Sequence, residues 1–540
     1  MIRFLKKINI VGIAALICAA IILSFAADFG KYVSNDTESV DYSRFLDEPS
    51  EEDVLAEISL SENELLLQYS VKDRAMGYIH GESVQVLSAG ESSSYVCAYS
   101  NLNYRFVKWS DGVLEAKRRD TVSENTKIVA EFEYIGFPEI HISVPEIKGE
   151  IGKEYVASSI SLLNAEERFV FNDKSSKIRI RGNSSARFDK KSFKIKFSKK
   201  VDLLGIGDEE RKDWVLIANH CDQSLMRNYV AFNIAQSLDG LEVAYNCAHV
   251  NVYLNGEYNG VYLLTEQVET GSSRVDIDTE GVRDDIGFLL ELDSREELDS
   301  GECIQIDNLR FAIKSDFITN GQYKYAKNYL EKCNEALKKG NKEEIETLID
   351  LDSFLDMYLL QEYTKNSDVG FASLFMYIKE GGGKLYFGPA WDFDISMGND
   401  GRLEDGGFEE LFVGERRGFG IGHEWFILAM EQKWFRAMAA ERYDEIYPIV
   451  NNVISDTVKY YLANKEEFDN NFVKWDIFGD RILFEPESVT VNKTHEAHFD
   501  HLILWLEGRN EWLRSCLLQK KANDEKEGFF DRVTDKIPIK

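Results

Sequence analysis

Cysteine is scarce in this chain, and no two cysteines stand at a short spacing. The 540 residues include seven cysteines, none of them in a CxxC pair. This distribution excludes the clustered thiolate ligands of a structural zinc site and predicts no disulfide framework. Single disulfide bonds stay compatible with the sequence, as does a surface protein that has none.

Basic residues are outnumbered by acidic residues. Lysine and arginine total 63 against 94 aspartates and glutamates, which gives a formal net charge of -31. A surface with this balance repels the phosphate backbone of nucleic acids at long range. We therefore expect no nucleic-acid partner.

Several catalytic motifs are also missing. The chain has no GxSxG nucleophile elbow, and no GK[ST] follows its glycine-rich stretch "RRGFGIGHEW", which argues against a phosphate-binding P-loop there. In "HEAHFDH", His495, His498 and His501 stand at three-residue spacing, which differs from the HExxH zinc motif. We expect these histidines to lie on the surface.

Only the N-terminus carries a long apolar run. The stretch "INIVGIAALICAAIILSFAA" follows basic residues and is long enough, at about 20 residues, to cross a bilayer as a helix. Residues 1–27 are thus predicted to be a transmembrane signal anchor, with the rest of the chain outside the cytoplasm. A cleaved signal peptide, giving a secreted protein, is the alternative. Residues 28–63 are acidic and polar, which is typical of a linker.

Residues 64–135 are predicted to form a small β-rich module. Short alternating runs such as "ESVQVLSAG" and "TKIVAEFEY" are separated by Gly, Ser and Asn. The string from Tyr104 to Phe132, with its "WSDG" turn, resembles the internalin B repeat of bacterial surface proteins. That resemblance implies an extracellular spacer or adhesion module.

Residues 136–519 mix strands with helices, so we expect one α+β domain whose C-terminal part is helical. The pair Asn255 and Gly256 marks a hairpin between two strands, and helical spacing dominates after about residue 320. Residues 520–540 form a charged tail.

The stretch "KIRIRGNSSARFDKKSFKIKF" indicates a hairpin with one basic face. Alternation places Phe193 and Ile195 on one side of its second strand and Lys194 and Lys196 on the other. A glycine turn with small hydroxyls and nearby lysines suits phosphate oxygens. A solvated basic hairpin is the alternative.

Two further segments carry carboxylates. "GPAWDFDIS" is interpreted as a strand that ends at Asp392 and Asp394, a pair of hard oxygen ligands suited to Mg²⁺ or Mn²⁺. "EYTKNSDVG" places Asn366 and Asp368 on a loop after a helix, where an aspartate can accept a hydroxyl proton. A solvated turn and an ordinary Asx turn are the alternatives.

Six motifs in sequence order resemble the CotH family, the spore coat protein H kinases: "IRIRGNSSARFDKKSFKIKF", "DWVLIANHCDQSLMRNYVAF", "VYLNGEYNGVYLLTEQVE", "GFLLELD", "LLQEYTKNSD" and "KLYFGPAWDFDISMGN". The resemblance implies an atypical protein-kinase-like domain that uses ATP with Mg²⁺ or Mn²⁺. Its substrates would be Ser or Thr residues of coat or envelope proteins. A non-catalytic surface or adhesion protein with a kinase-like scaffold is the alternative.

The resemblance also implies roles for single residues. Asp368 looks like the catalytic aspartate with Asn366 as its partner, and Asp392 and Asp394 look like the metal-holding pair. The remaining positions resemble ATP-site residues, and among the lysines the one that contacts ATP is left open: Gly182, Asn183, Ser184, Ser185, Lys191, Lys194, Lys196, Arg227 and Glu266.

Overall fold

The computed structural model describes most of the chain after the N-terminal region. The described ranges are 39–46, 60–61, 63–145, 151–207, 209–272, 274–278, 283–295, 303–317, 319–403, 406–416 and 423–534, with side chains in the last helix described to residue 526. The predicted membrane segment, within residues 1–27, and most of the predicted linker lie outside these ranges. None of the helices within them is both long enough and apolar enough to cross a membrane.

The first described module is built entirely from strands, because its apolar residues alternate along short runs. Its strands are β1 (Glu64–Val71), β2 (Gly77–His80), β3 (Val84–Ser88), β4 (Val96–Ser100), β5 (Tyr104–Trp109), β6 (Lys117–Arg118) and β7 (Thr126–Tyr134). They form a four-stranded sheet, β3-β1-β7-β5, and a three-stranded sheet, β2-β4-β6. Trp109, with no exposed surface, lies in the core of this module. The expected β-rich character is confirmed.

The next seven strands close into a barrel with the order β10-β11-β12-β14-β13-β8-β9. They are β8 (Glu139–Ser143), β9 (Val156–Leu163), β10 (Phe171–Ile180), β11 (Phe193–Val201), β12 (Arg211–Ile217), β13 (Cys247–Leu254) and β14 (Glu257–Glu266). Phe193, Ile195 and Phe197 are buried in one hydrophobic cluster with the inward side chains of the other strands. The alternation predicted for β11 is therefore confirmed.

The predicted hairpin is also confirmed, since β13 and β14 pair in antiparallel register around Asn255 and Gly256. Both residues have positive φ values, 52° and 86°, as a two-residue hairpin turn requires.

A second sheet, β16-β17-β15-β18-β19, stands beside the barrel. Its strands are β15 (Phe288–Leu292), β16 (Cys303–Ile306), β17 (Leu309–Ile313), β18 (Leu374–Ile378) and β19 (Leu385–Phe387). All of its pairings are antiparallel.

Helices occupy the remainder and confirm the expected helical C-terminal part. They are α1 (Arg227–Gln236), α2 (Asn320–Lys339), α3 (Lys342–Leu348), α4 (Leu351–Thr364), α5 (Glu424–Met430), α6 (Lys433–Lys474, with a kink at Asn464), α7 (Glu487–Thr490) and α8 (His495–Thr534). The hydrophobic cluster between helices also contains Val215 and Leu263, from the outer side of the barrel. This shared core joins the barrel to the helices.

The ends of two helices set the positions of the candidate residues. Helix α4 begins after Asp350, whose carboxylate accepts the Ser353 backbone N–H at 3.0 Å, and it ends at Lys365, which has a left-handed φ of 45°. The reversal at Lys365 terminates the helix and turns the chain into the predicted loop. Helix α1 begins at Arg227, whose N–H donates to Asp222 at 2.8 Å.

Candidate active site

The loop after α4 brings Asp368 next to the aspartate pair. Asn366 is buried and links the two segments, because its Oδ1 accepts the Asp368 backbone N–H at 3.1 Å and its Nδ2 donates to the Asp392 carbonyl oxygen at 3.4 Å. Two residues that are 24 positions apart in sequence are thus held together by one side chain.

Asp392 and Asp394 lie on an irregular loop rather than at the end of a strand. Strand β19 ends at Phe387, so the predicted strand boundary is wrong. The physical reason is that Pro389 has no N–H for a sheet ladder and Asp392 adopts a left-handed φ of 67°. The segment is partly buried all the same, with no exposed surface on Phe393.

Hydrogen bonds fix this loop on both sides. The Ser373 hydroxyl donates to Asp392 Oδ2 at 3.1 Å, and the Phe393 N–H donates to Asn228 Oδ1 at 2.8 Å. The Cys221 thiol donates to Asp394 Oδ2 at 3.0 Å. The loop is therefore held by Asn228 of α1, by Cys221 in the segment before α1 and by Ser373.

The three carboxylates form an electrostatically perturbed cluster. Burial, reinforced by the charge of Asp392, raises the pKa of Asp368 to about 6. The same two causes, in the same order, raise the pKa of Asp394 well above its usual range. Burial also raises the pKa of Glu291 in the neighbouring strand β15. Clusters of perturbed carboxylates are typical of functional sites.

The aspartate pair fits a hard divalent cation. Among the described residues, no three His, Cys, Asp or Glu side chains are grouped closely enough to hold a metal ion by themselves. Magnesium, however, is commonly bound by one or two carboxylates, with water and phosphate oxygens completing its shell. Asp392 and Asp394 are partly buried, and the charge of Asp392 acts unfavourably on ionised Asp394, so the pair has the charge that such a cation would neutralise.

Arg227 lies behind this loop in a buried ion pair. Its Nη1 is 2.5 Å from Asp222 Oδ1, and its Nε donates to the Ser396 carbonyl oxygen at 3.0 Å. The two side chains are 1% and 0% exposed. This environment favours a structural role, in which Arg227 anchors the aspartate loop to α1, over the ATP contact implied by the resemblance.

The predicted basic residues lie on the outer face of the barrel. Lys194 and Lys196 both approach Asp213, at 3.4 and 3.2 Å, and Lys191 is half-buried. Glu266 is buried against Arg274, with 3.0 Å between Oε1 and Nε. Lys194, Lys196, Asp213, Glu266 and Arg274 thus form a group of alternating charges.

The GNSS turn closes the β10–β11 hairpin. Gly182 has a φ of 91°, and a Cβ at this position would collide with the Ser185 hydroxyl, so the turn requires glycine. Asn183 and Ser184 are exposed, and the turn from Ser185 to Arg187 is a short 3₁₀ helix.

One residue at the site was not singled out from the sequence. Arg181, directly before the GNSS turn, places its guanidinium carbon 5.2 Å from the centre of the Trp391 ring. The charges of Asp392, Glu291 and Asp394 act on it. The alternation in "RIRG" places Arg181 beside the GNSS turn and could have identified it, but the sequence argument relied on the lysines of the next strand.

A second arginine borders Asp368. Arg402 Nη2 lies 3.8 Å from Asp368 Oδ1, 2.6 Å from Asp400 Oδ2 and 2.9 Å from the Ser367 hydroxyl. Nothing in the sequence around Arg402 connects it to the loop after α4, so only the fold identifies it.

The expectation for the histidines of α8 is wrong. His495 and His498 are 2% and 1% exposed, and burial lowers the pKa of His498 to about 3 and that of His501 to about 4. The three-residue spacing places these side chains toward the core of the helical part, where the His498 ring stacks on Phe478.

A groove lined by other residues is also present on the barrel. An open groove of about 570 Å³ lies between the β13–β14 hairpin and α6, lined by residues such as Tyr253, Tyr258 and Glu467. Its polar side chains bond to one another, as Asn251 does to Glu467 at 2.8 Å. We assign the candidate site by its chemistry rather than by volume.

Comparison with known families identifies the family of this domain. Residues 178–513, more than half of the chain, match the family described as "CotH kinase protein". A search of curated proteins finds no match. The matched range contains the GNSS turn, the loop after α4 and the aspartate pair.

Proposed function

The chain belongs to the CotH kinase protein family, and from this premise we propose that it is an atypical protein kinase. The reaction is transfer of the γ-phosphate of ATP to the hydroxyl of a Ser or Thr in a protein substrate. Mg²⁺ or Mn²⁺ accompanies the nucleotide.

One observation carries the proposal: three aspartates from two separate motifs converge. Asp368 follows a helix, whereas Asp392 and Asp394 come from a loop beyond the next two strands, and Asn366 links the two segments. Burial, reinforced by the charge of Asp392, raises the pKa of Asp368. A scaffold without catalysis has no need to gather partly buried carboxylates at this cost.

Asp368 is the candidate general base. Its side chain is 30% exposed, so an acceptor hydroxyl can reach it. A pKa of about 6 leaves the carboxylate ionised at neutral pH and makes it a stronger base than an ordinary aspartate. In the transfer, the acceptor oxygen bonds to the γ-phosphorus while the bond to the β-phosphate oxygen breaks. ADP leaves, and the hydroxyl proton passes to Asp368.

Asn366 positions both halves of the site. Through its two hydrogen bonds it couples the backbone of Asp368 to that of Asp392. Asp392 and Asp394 would hold the divalent cation, whose chemistry when bound is to neutralise charge on the nucleotide phosphates. Small errors in such alignment are costly to phosphoryl transfer, which depends mainly on positioning.

The nucleotide is proposed to lie between this loop and the outer face of the barrel. The GNSS turn offers backbone N–H groups and hydroxyls. Lys194 and Lys196 stand on the strand that follows, and Lys191 lies just before it. Glu266 lies further along the same face, in its ion pair with Arg274. Their contribution to ATP binding is part of the proposal.

We place this activity outside the cytoplasm, with a coat or envelope protein as the substrate. The apolar run of residues 8–27, with basic residues before it, supports a membrane anchor or an export signal. The internalin-like module would then act as a spacer between the membrane and the kinase domain. The strongly acidic surface gives basic or neutral acceptor proteins an electrostatic advantage.

The test is incorporation of labelled γ-phosphate by the full chain, with Mg²⁺ or Mn²⁺, into itself and into a generic acceptor protein. Asp392→Asn serves as the inactive control. Incorporation that requires metal and is lost in this variant is the expected result. If neither metal supports incorporation and ATP does not change the melting temperature, the kinase proposal fails in favour of a non-catalytic surface scaffold.

A further inference from the structure

Arg181 lies where the barrel meets the aspartate loop. It follows the last residue of β10, and its backbone N–H donates to the Ser192 carbonyl oxygen at 2.9 Å, which fixes its Cα at the end of the hairpin. Its side chain reaches across to the ring of Trp391, the residue directly before Asp392. Arg181 therefore joins the GNSS turn to the metal-binding candidates.

The guanidinium of Arg181 lacks a protein partner. Within the described ranges it makes no hydrogen bond and no ion pair; its recorded contact is the stacking on Trp391. Arg181 is half-buried, whereas the fully buried arginines Arg227 and Arg274 are paired with Asp222 and Glu266. Burial lowers the pKa of Arg181, while Asp392 and Asp394 attract its charge from a distance.

The Arg181 side chain is half-buried, so part of its guanidinium stays accessible to an incoming ligand. A guanidinium has five N–H donors that can bind an anion. Its planar fork matches two oxygens of one phosphate, and stacking on an aromatic ring holds that plane in place. The missing partner is thus best supplied by an anion that enters the site.

The lysines of β11 are less suited to the same task. Lys194 and Lys196 share Asp213, at 3.4 and 3.2 Å, so their charges are already partly compensated. Arg181, by contrast, is acted on by the charges of Asp392, Glu291 and Asp394.

We propose that Arg181 binds the terminal phosphates of the nucleotide, across from Asp392 and Asp394. This inference rests on the proposed kinase function and assigns the phosphate-binding cation to the residue before the GNSS turn. Arg181 would then donate to phosphate oxygens, and its contact with the Trp391 ring would hold the guanidinium in position.

The experiment compares binding of ATP with Mg²⁺ and binding of AMP to the full chain, by isothermal titration calorimetry. The variants are Arg181→Gln, Arg181→Lys and a matched control, Arg179→Gln. Arg179 lies two residues earlier on the same face of β10, but its guanidinium is covered by Tyr155, at 5.1 Å from the ring centre. Melting temperatures of all variants verify that each one is folded.

Arg181→Gln should weaken ATP binding about 10-fold to 100-fold, as expected for loss of hydrogen bonds to a charged group. AMP affinity should stay within about twofold, Arg181→Lys should retain part of the ATP affinity, and Arg179→Gln should behave like the wild type. Unchanged ATP affinity in Arg181→Gln would overturn the inference, and so would an equal loss for both nucleotides.

The two proposals fail in different ways. Metal-dependent phosphate incorporation by the wild type, together with normal ATP affinity in Arg181→Gln, refutes only the role of Arg181. A wild-type chain that neither binds ATP nor incorporates phosphate refutes the kinase function and the role of Arg181 together.

Discussion

Replacing Arg227 tests whether this residue anchors the fold or contacts ATP. Arg227→Met removes one partner of an ion pair whose side chains are 1% and 0% exposed. Asp222 then stays buried with its charge, and the Ser396 carbonyl oxygen loses the bond from Nε at 3.0 Å. Removing one member of a buried pair typically costs about 3–5 kcal/mol in free energy of unfolding.

A double variant separates the lost pair from lost packing. Asp222→Asn together with Arg227→Met leaves no buried unpaired charge, so its destabilisation should fall short of the sum of the single variants by about 1–3 kcal/mol. The assay is urea unfolding followed by tryptophan fluorescence, with ATP affinity measured under native conditions.

A different result would show that Arg227 contacts ATP instead of anchoring the fold. If Arg227→Met changes the free energy of unfolding by less than about 1 kcal/mol but abolishes ATP binding, Arg227 is a ligand contact, as the family resemblance implies. A large loss of stability together with additive single and double variants would instead refute the coupling between Arg227 and Asp222.

Further predictions concern the site and the pH dependence of stability. Asp392→Asn should abolish metal-dependent ATP binding in calorimetry, whereas Asp368→Asn should keep it and lower phosphate incorporation at least about 100-fold; the reverse pattern would exchange the assigned roles. Gly182→Ala should lower the free energy of unfolding by about 1–2 kcal/mol in urea and weaken ATP binding, because the residue has φ 91° and its new Cβ would collide with Ser185; wild-type values would exclude a tight turn. His423, fully buried, caps α5 through its imidazole, and burial lowers its pKa to about 3. Since the unfolded state takes up the proton near pH 6.5, this group should cost about 2 kcal/mol of stability between about pH 7 and pH 5. His423→Asn keeps a capping side chain and should flatten that part of the pH profile, and an unchanged slope would contradict the buried neutral imidazole.

The sequence was informative wherever a local pattern has one physical solution. Alternation in β11 separates Phe193 and Ile195 from Lys194, and this separation is found in the barrel. The Asn255–Gly256 turn is local as well, because only residues that tolerate positive φ form such a hairpin. The end of the strand before Asp392 was mispredicted because the apolar residues from Leu385 to Ile395 resemble one continuous strand. The strand in fact ends at Phe387, since Pro389 lacks an N–H and Asp392 has a left-handed φ.

Longer-range relations were beyond the reach of these patterns. The histidines of α8 were expected on the surface because a three-residue spacing does not tell which face of a helix is covered by other elements. In the fold, the face that carries His495 and His498 packs against the core. Arg402 and Asp368 are far apart in sequence, and only the packing of their loops puts them 3.8 Å apart.

By itself, the sequence determined the mixture of strands and helices, the family to which residues 178–513 belong and the aspartates worth testing. Those properties follow from residue type and local spacing. The tertiary structure decided which charges are paired: Arg227 forms an ion pair with Asp222 inside the fold, whereas Arg181 lies near the aspartates without an ion pair among the described residues. Pairing depends on which segments the barrel and helices bring together, and a residue's own neighbours in sequence do not encode it.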